Sequence, residues 1–308
     1  MQHPHEKTGH PTSPIPNDRL ADTAEETPST LPGGLMRYTL PSLAVAGAVG
    51  AFALFREKFQ DSHLFYPSRY PTGVWDPSVY GLPYEDAWFE SEDGTALHGW
   101  WIVHPKAKAT VVFCHGNTGS IGDRVGLYLQ LRRLKVNVFA FDYRGYGRSA
   151  GEPNEQGLFQ DVRAALDHVH HSRGIPFEKI VLFGHSLGGA VATDGALHRP
   201  VAGLVVQSSF TSVREMARVV YPDVPIYLLA RDQFQSIEKV PLLTLPKLFI
   251  HGTEDGTVPY SMGEQLHAAA AEPKEWLSIA RAGHNDVERF GHFRYFRTLT
   301  RFFKRCVA

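Results

Sequence analysis

The feature that most constrains this chain is an alternation. Between residues 110 and 305, short apolar runs take turns with helix-periodic stretches. The apolar runs are Thr110–Cys114, Val136–Asp142, Ile180–Phe183, Gly203–Gln207, Lys247–His251 and Glu275–Ile279. Between and after them lie helical patterns at Gly122–Leu134, Leu158–His171, Gly189–His198, Ser261–Ala271 and Glu288–Arg305. Runs of four to seven residues that are apolar on both faces suit strands buried on both sides, so the pattern predicts a parallel sheet covered by helices. Ahead of it, Asp86–Glu90 and Leu97–Val103 read as a strand pair turning at Asp93-Gly94. No internal repeat is visible. The 308 residues are 43% hydrophobic, enough for a sizeable core, and single α/β domains run to about 250 residues.

Composition narrows the function. A net charge of -1, from 31 basic and 32 acidic side chains, gives no field to steer nucleic acid, so no nucleic-acid partner is expected. Two cysteines, Cys114 and Cys306, exclude a disulfide scaffold and a Cys-rich zinc module. Cys114 lies in an apolar run and reads as a buried free thiol. Sixteen histidines include no HExxH pair and no Cys/His cluster, so no metal site is expected.

The N-terminal part reads differently. Residues 1–34 are polar and proline-studded and read as disordered. They do not begin as a secretory signal, since no apolar region follows the first residues. Tyr38–Phe55 contains no charged residue and is bounded by Arg37 and Arg56, so residues 35–59 are expected to form a single membrane-anchor helix, short and rich in Ala and Gly. Arg56, Lys58 and Arg69 after it outnumber Arg37 before it, a small bias towards a cytoplasmic C-terminal domain. Residues 60–308 are then the globular domain.

Chemistry concentrates at Gly184-His185-Ser186-Leu187-Gly188. It follows the strand Ile180–Phe183 and opens a small-residue helix, Gly189-Ala-Val-Ala192. A serine hydroxyl attacks only when its geometry presents it and a base takes its proton. A sharp strand-to-helix turn supplies the geometry, flanking glycines remove the clash, and the helix start aims N–H groups at a developing oxyanion. The base and its orienting acid are sought after later strands. Lys247–His251 runs into Gly252-Thr-Glu-Asp255, where Asp255 and its neighbour Glu254 compete for the role of acid. The next strand leads to Gly283-His284-Asn285-Asp286, where His284 is the expected base and Asp286 a solvated neighbour. An early strand leads to His115-Gly116-Asn117-Thr118-Gly119. There the N–H of Asn117 is expected to join that of Leu187 in an oxyanion hole, and His115 to hold the loop by a ring hydrogen bond. Asp142-Tyr-Arg-Gly-Tyr-Gly-Arg-Ser149 has no phosphate-binding fingerprint and reads as a tight turn, with Asp142 bonding nearby backbone.

Together these motifs resemble the serine-type α/β-hydrolases over roughly residues 85–308. Within that superfamily they are similar to the Bem46-like branch, which includes the α/β-hydrolase domain-containing proteins 13 and 17. The resemblance implies an eight-stranded, mostly parallel sheet with helices on both faces, no cofactor, and a Ser186-Asp255-His284 triad. It selects Asp255 over Glu254. It implies hydrolysis of carboxylic esters or thioesters through an acyl-enzyme on Ser186, with an acyl ester or thioester and a lipid membrane as partners. Two other readings are a peptidase of the prolyl-aminopeptidase kind and a non-catalytic interaction protein. Members of the protein 17 type remove palmitate from proteins and carry an N-terminal cysteine cluster, whereas this chain has no cysteine before Cys114. A short cap is expected at about 210–246, where Tyr221–Leu229 is apolar enough either to line an acyl groove or to pack as a core helix.

Overall fold

The computed structural model describes residues 64–308, except 224–226, 228–230 and 232. The expected disordered segment at residues 1–34 and the expected anchor at residues 35–59 lie outside the described residues. Among those described, no helix is long and apolar enough to cross a membrane.

The strands in chain order are β1 (Tyr66–Pro67), β2 (Glu85–Glu90), β3 (Ala96–Ile102), β4 (Thr110–Cys114), β5 (Thr118–Gly119), β6 (Asn137–Phe141), β7 (Ile180–His185), β8 (Gly203–Gln207), β9 (Lys247–Gly252) and β10 (Lys274–Ile279). Eight of them form one sheet in the order β10-β9-β8-β7-β4-β6-β3-β2. β2 and β3 pair antiparallel, as do β3 and β6; the pairings from β6 through β4 to β10 are parallel. The helices are α1 (Val125–Arg133), α2 (Glu155–Arg173), α3 (Leu187–His198), α4 (Val213–Val220), α5 (Ser236–Lys239), α6 (Tyr260–Ala269) and α7 (Val287–Cys306).

The two faces of the sheet explain why the strands are apolar throughout. Alternate residues point to opposite sides. Val112 and Cys114 of β4 join one buried cluster with Leu182 of β7 and the apolar residues of α2, α3 and α6. Val111 and Phe113 join a second cluster with Phe183 and the apolar residues of α1 and α7. Helices α1 and α7 therefore cover the same face. The loops after β4, β7, β9 and β10 all leave the carboxyl edge of the parallel sheet, the usual place for a ligand crevice in such folds.

Several short elements escape the sequence pattern. β1 and β5 make a two-stranded parallel sheet of their own, too short for any periodicity to reveal. The second half of the chain also contains α4, α5 and a 3-10 turn (Val240–Leu242) in the segment expected to be a cap.

Candidate active site

Ser186 sits between β7 and α3 with φ 55° and ψ -121°, a backbone conformation that L-residues rarely adopt. Its neighbours hold it there. The Ser186 N–H donates to the Gln207 carbonyl at 2.9 Å. Its own carbonyl accepts from the Gly189 N–H at 2.9 Å and from the Ser209 hydroxyl at 2.8 Å. The glycines of the turn are steric necessities. A Cβ on Gly184 would strike the Gly188 carbonyl, and one on Gly188 would strike the backbone of Cys114 and His115.

The hydroxyl meets its expected partners. Ser186 Oγ lies 3.0 Å from His284 Nε2, and His284 Nδ1 lies 2.8 Å from Asp255 Oδ2. With Nδ1–H donating to the carboxylate, Nε2 presents its lone pair to the serine O–H. Glu254 is exposed and makes no hydrogen bond to His284. Asp286 is not simply solvated: its Oδ1 accepts from the Gly283 N–H at 2.7 Å and shapes the loop that carries His284.

The carboxylate of Asp255 is fully enclosed and every acceptor direction is used. Oδ1 takes the N–H groups of Thr257 (2.9 Å) and Val258 (2.8 Å). Oδ2 takes His284 and lies 3.2 Å from Nε2 of a second imidazole, His251. Burial alone would raise the carboxyl pKa. The hydrogen bonds from His251 and His284, with the charge of His284 and the Val258 N–H, hold it far below the usual carboxylate range instead. It therefore stays ionised and fixes the imidazole tautomer. His251 is a site residue that the sequence reading left without a role. Its position four residues before Asp255 was the available signal.

His185 is buried behind the serine, and its Nε2 donates to the His284 carbonyl at 3.1 Å. Burial, then the neighbouring charges of His284 and Arg124, push its pKa down to about 3, so it is neutral when it braces that loop.

On the other side of β7, Asn117 and Leu187 present the two expected backbone donors. The Asn117 N–H donates to no other group in the described structure. Leu187 opens α3, so its N–H has no acceptor within the helix. The loop is tied down from below. Tyr143 Oη donates to the His115 carbonyl at 2.9 Å and Tyr146 Oη to the Asn117 carbonyl at 2.8 Å. The Tyr66 N–H also reaches the Asn117 carbonyl, and Asn117 Nδ2 donates to the Leu64 carbonyl. His115 makes its expected ring hydrogen bond, Nδ1 to the Gly116 carbonyl at 2.7 Å. Asp142 accepts from the Ile121 N–H at 2.8 Å. The Asp142–Ser149 turn thus does more than turn: it carries the buttress of this loop.

Ser186, His284 and the loop Gly116–Gly119 line an open cleft of about 1,220 Å³. Its walls are α1, through Leu127 and Gln130, and α7, through Arg289, Phe293 and Phe296. Among the described residues, none from 210–246 lines it. The expected groove at Tyr221–Leu229 falls largely outside the described residues. Among the described residues, no group of His, Cys, Asp and Glu could hold a metal ion. Cys114 is a buried free thiol, raised far above the ordinary thiol range by burial.

Comparisons with known proteins bear on the family and the fold. A family model described as serine aminopeptidase, S33, matches residues 105–231. The chain is 33% identical over 258 residues to the α/β-hydrolase domain-containing protein WAV2 of Arabidopsis thaliana, covering 76% of this chain and 81% of that one. It is 37% identical over 190 residues to human α/β-hydrolase domain-containing protein 17B, covering 61% of this chain and 65% of that one. The fold is also that of a Pyrococcus furiosus esterase, Pf2001, with a TM-score of 0.66 at 21% identity, over 79% of this chain and all of the other.

Proposed function

The chain belongs to the α/β-hydrolase superfamily, in its 17B-like branch, and from that premise we propose that it is a membrane-anchored serine hydrolase of carboxylic esters or thioesters. One observation carries the reading: a strained serine with its Oγ 3.0 Å from an imidazole that a buried carboxylate orients, at the floor of an open cleft.

Each group has a defined task. His284 takes the Ser186 proton as Oγ attacks the acyl carbonyl. Asp255 stabilises the imidazolium that results. The N–H groups of Asn117 and Leu187 receive the negative charge that develops on the carbonyl oxygen; losing one such donor typically costs about 3 kcal/mol of barrier. His284 then returns its proton to the leaving alcohol or thiol. Water attacks the acyl-enzyme by the same route in reverse and frees the acid. No cofactor enters these steps. The charge-free run within residues 35–59 is the proposed anchor, which would hold the cleft near lipid-borne substrates.

The description of the matched family model favours a second reading, a peptidase using the same groups on amides. One experiment separates the two. The full chain is assayed on p-nitrophenyl esters from acetate to palmitate, on an acyl thioester, and on peptide amides with a free N-terminus. We expect ester or thioester turnover, with Ser186→Ala lowering kcat on the order of 10⁶-fold while the thermal melt is retained. Turnover of peptides alone would replace the ester reading with the peptidase. Turnover that survives Ser186→Ala would remove both.

A further inference from the structure

Helix α7 combines features that its packing role does not need. Its inner face, Tyr295, Leu299 and Phe302, fills the core. Its outer face carries Arg289, Arg294, Arg297, Arg301, Lys304 and Arg305 against one acid, Glu288. In a chain with a net charge of -1, this is a marked local excess of positive charge. Arg301 and Arg305 are spent on Glu275. Arg289 and Arg294 have no carboxylate partner among the described residues.

Exposed aromatic rings stand among these cations. Phe290 is 44% exposed and Phe293 69%, the latter under the guanidinium of Arg297 at 5.9 Å. The backbone leaves the helix between them, with φ 34° and ψ -118° at His292. Phe293 is shared by two concavities. One is the cleft above Ser186. The other is a groove of about 430 Å³ lined by Trp276, Arg294, Arg297 and Arg301. The cationic, aromatic segment is therefore the rim of the candidate active site.

We infer that the segment Arg289–Arg297 docks the mouth of the cleft onto an anionic lipid surface, with Phe290 and Phe293 entering the headgroup region and Arg294 and Arg297 meeting lipid phosphates. Exposed Phe beside unpaired Arg is the chemistry that anionic bilayers recognise, since apolar burial and charge attraction add. A protein partner of similar charge would leave unexplained why the exposed Phe293 lines the cleft above Ser186. Docking here goes beyond the hydrolase reading: it gives the substrate a direct path from lipid to Ser186, and it holds for the surface whether or not Ser186 turns over an ester.

The test reads the rim itself, so that attachment elsewhere in the full chain does not mask it. Phe293→Cys is labelled with an environment-sensitive fluorophore. Lys108→Cys, at the opposite edge of the sheet just before β4, is the control. Cys114 is buried, and the partly exposed Cys306 is replaced by Ser in both labelled variants. Vesicles of phosphatidylcholine, with or without phosphatidylglycerol, are added. We expect the probe at 293 to shift to the blue and to be quenched by bilayer-borne quenchers only when phosphatidylglycerol is present. The probe at 108 should not respond. Arg294→Glu with Arg297→Glu should weaken the response about 25-fold or more, at about 5-fold for each charge near the surface. A probe at 293 that stays in water while the chain floats with anionic vesicles overturns the inference, as does an equal response to neutral vesicles. Concentration-dependent burial of the probe without lipid would assign the patch to a second copy of the chain and also overturn it. Ester turnover is not read, so failure here leaves the hydrolase reading standing, and failure of that reading leaves this one.

Discussion

Two regions meet at Ser186 from opposite sides of β7, and they are built on different principles. On the β4 side, the loop His115–Gly119 offers a backbone N–H. A backbone group has no rotamers of its own, so its position is set wholly by what holds the loop. Accordingly the loop is tied by Tyr143, Tyr146, Tyr66 and the carbonyl of Leu64, groups drawn from two other segments of the chain. On the β9–β10 side, the loops offer side chains, Asp255 and His284. There the constraint is local and electrostatic. One buried carboxylate gathers two N–H groups and two imidazoles, and so fixes the base through its own acceptors. Charge is held by saturating it, and a bare dipole is held by scaffolding.

That difference can be attacked from either side. The largest effect is expected from the charged side. Asp255→Asn keeps the size but presents an NH₂ or a neutral oxygen to His284 and favours the wrong tautomer. It should lower kcat about 10⁴-fold with little change in KM, read from steady-state ester hydrolysis. On the scaffolded side the loss should be graded. Tyr146→Phe removes one of several tethers of the Asn117 carbonyl and should lower kcat about 10-fold, since the remaining hydrogen bonds still hold the loop. A loss as large as that of Asp255→Asn would mean that the loop is not redundantly held.

The same contrast governs what could be read from the sequence. The apolar strand Ile180–Phe183 and the turn Gly184–Gly188 announce the serine, because strain demands glycine at fixed offsets. Asp255 and His284 follow later strands, and the resemblance chose Asp255 over Glu254. The scaffold was less legible. Tyr143 and Tyr146 look like ordinary turn residues until the fold brings them under a loop nearly thirty residues earlier. β1 is two residues long and has no periodicity to find. The cleft walls were also missed, because α1 and α7 meet only through tertiary packing on one face of the sheet.

Smaller effects sharpen the account. His251 Nε2 donates to the Val258 carbonyl at 3.1 Å and lies 3.2 Å from the same carboxylate oxygen that accepts from His284. His251→Asn should leave that oxygen more basic and stabilise the imidazolium of His284. The acid limb of kcat/KM should then move up, with kcat reduced only a few-fold. An unmoved limb with the same loss of kcat would make His251 a packing residue. The smallest effect is on stability. His185 titrates near 6.5 when unfolded and near 3 when folded, so only the unfolded chain gains its proton between those values. Its contribution is complete above pH 6.5 and is lost as pH falls towards 3. Chemical denaturation of wild type and His185→Asn across that window should show a flatter pH dependence in the variant.

The central claim is that Ser186 is the group that bonds to the substrate. A fluorophosphonate, which phosphonylates an activated serine with loss of fluoride, tests this most directly when the adduct is located by peptide mass spectrometry. One adduct is expected, on Ser186, formed at least about 10³-fold more slowly in His284→Ala. A folded wild-type chain that takes no label, or that takes it on another serine, would contradict it.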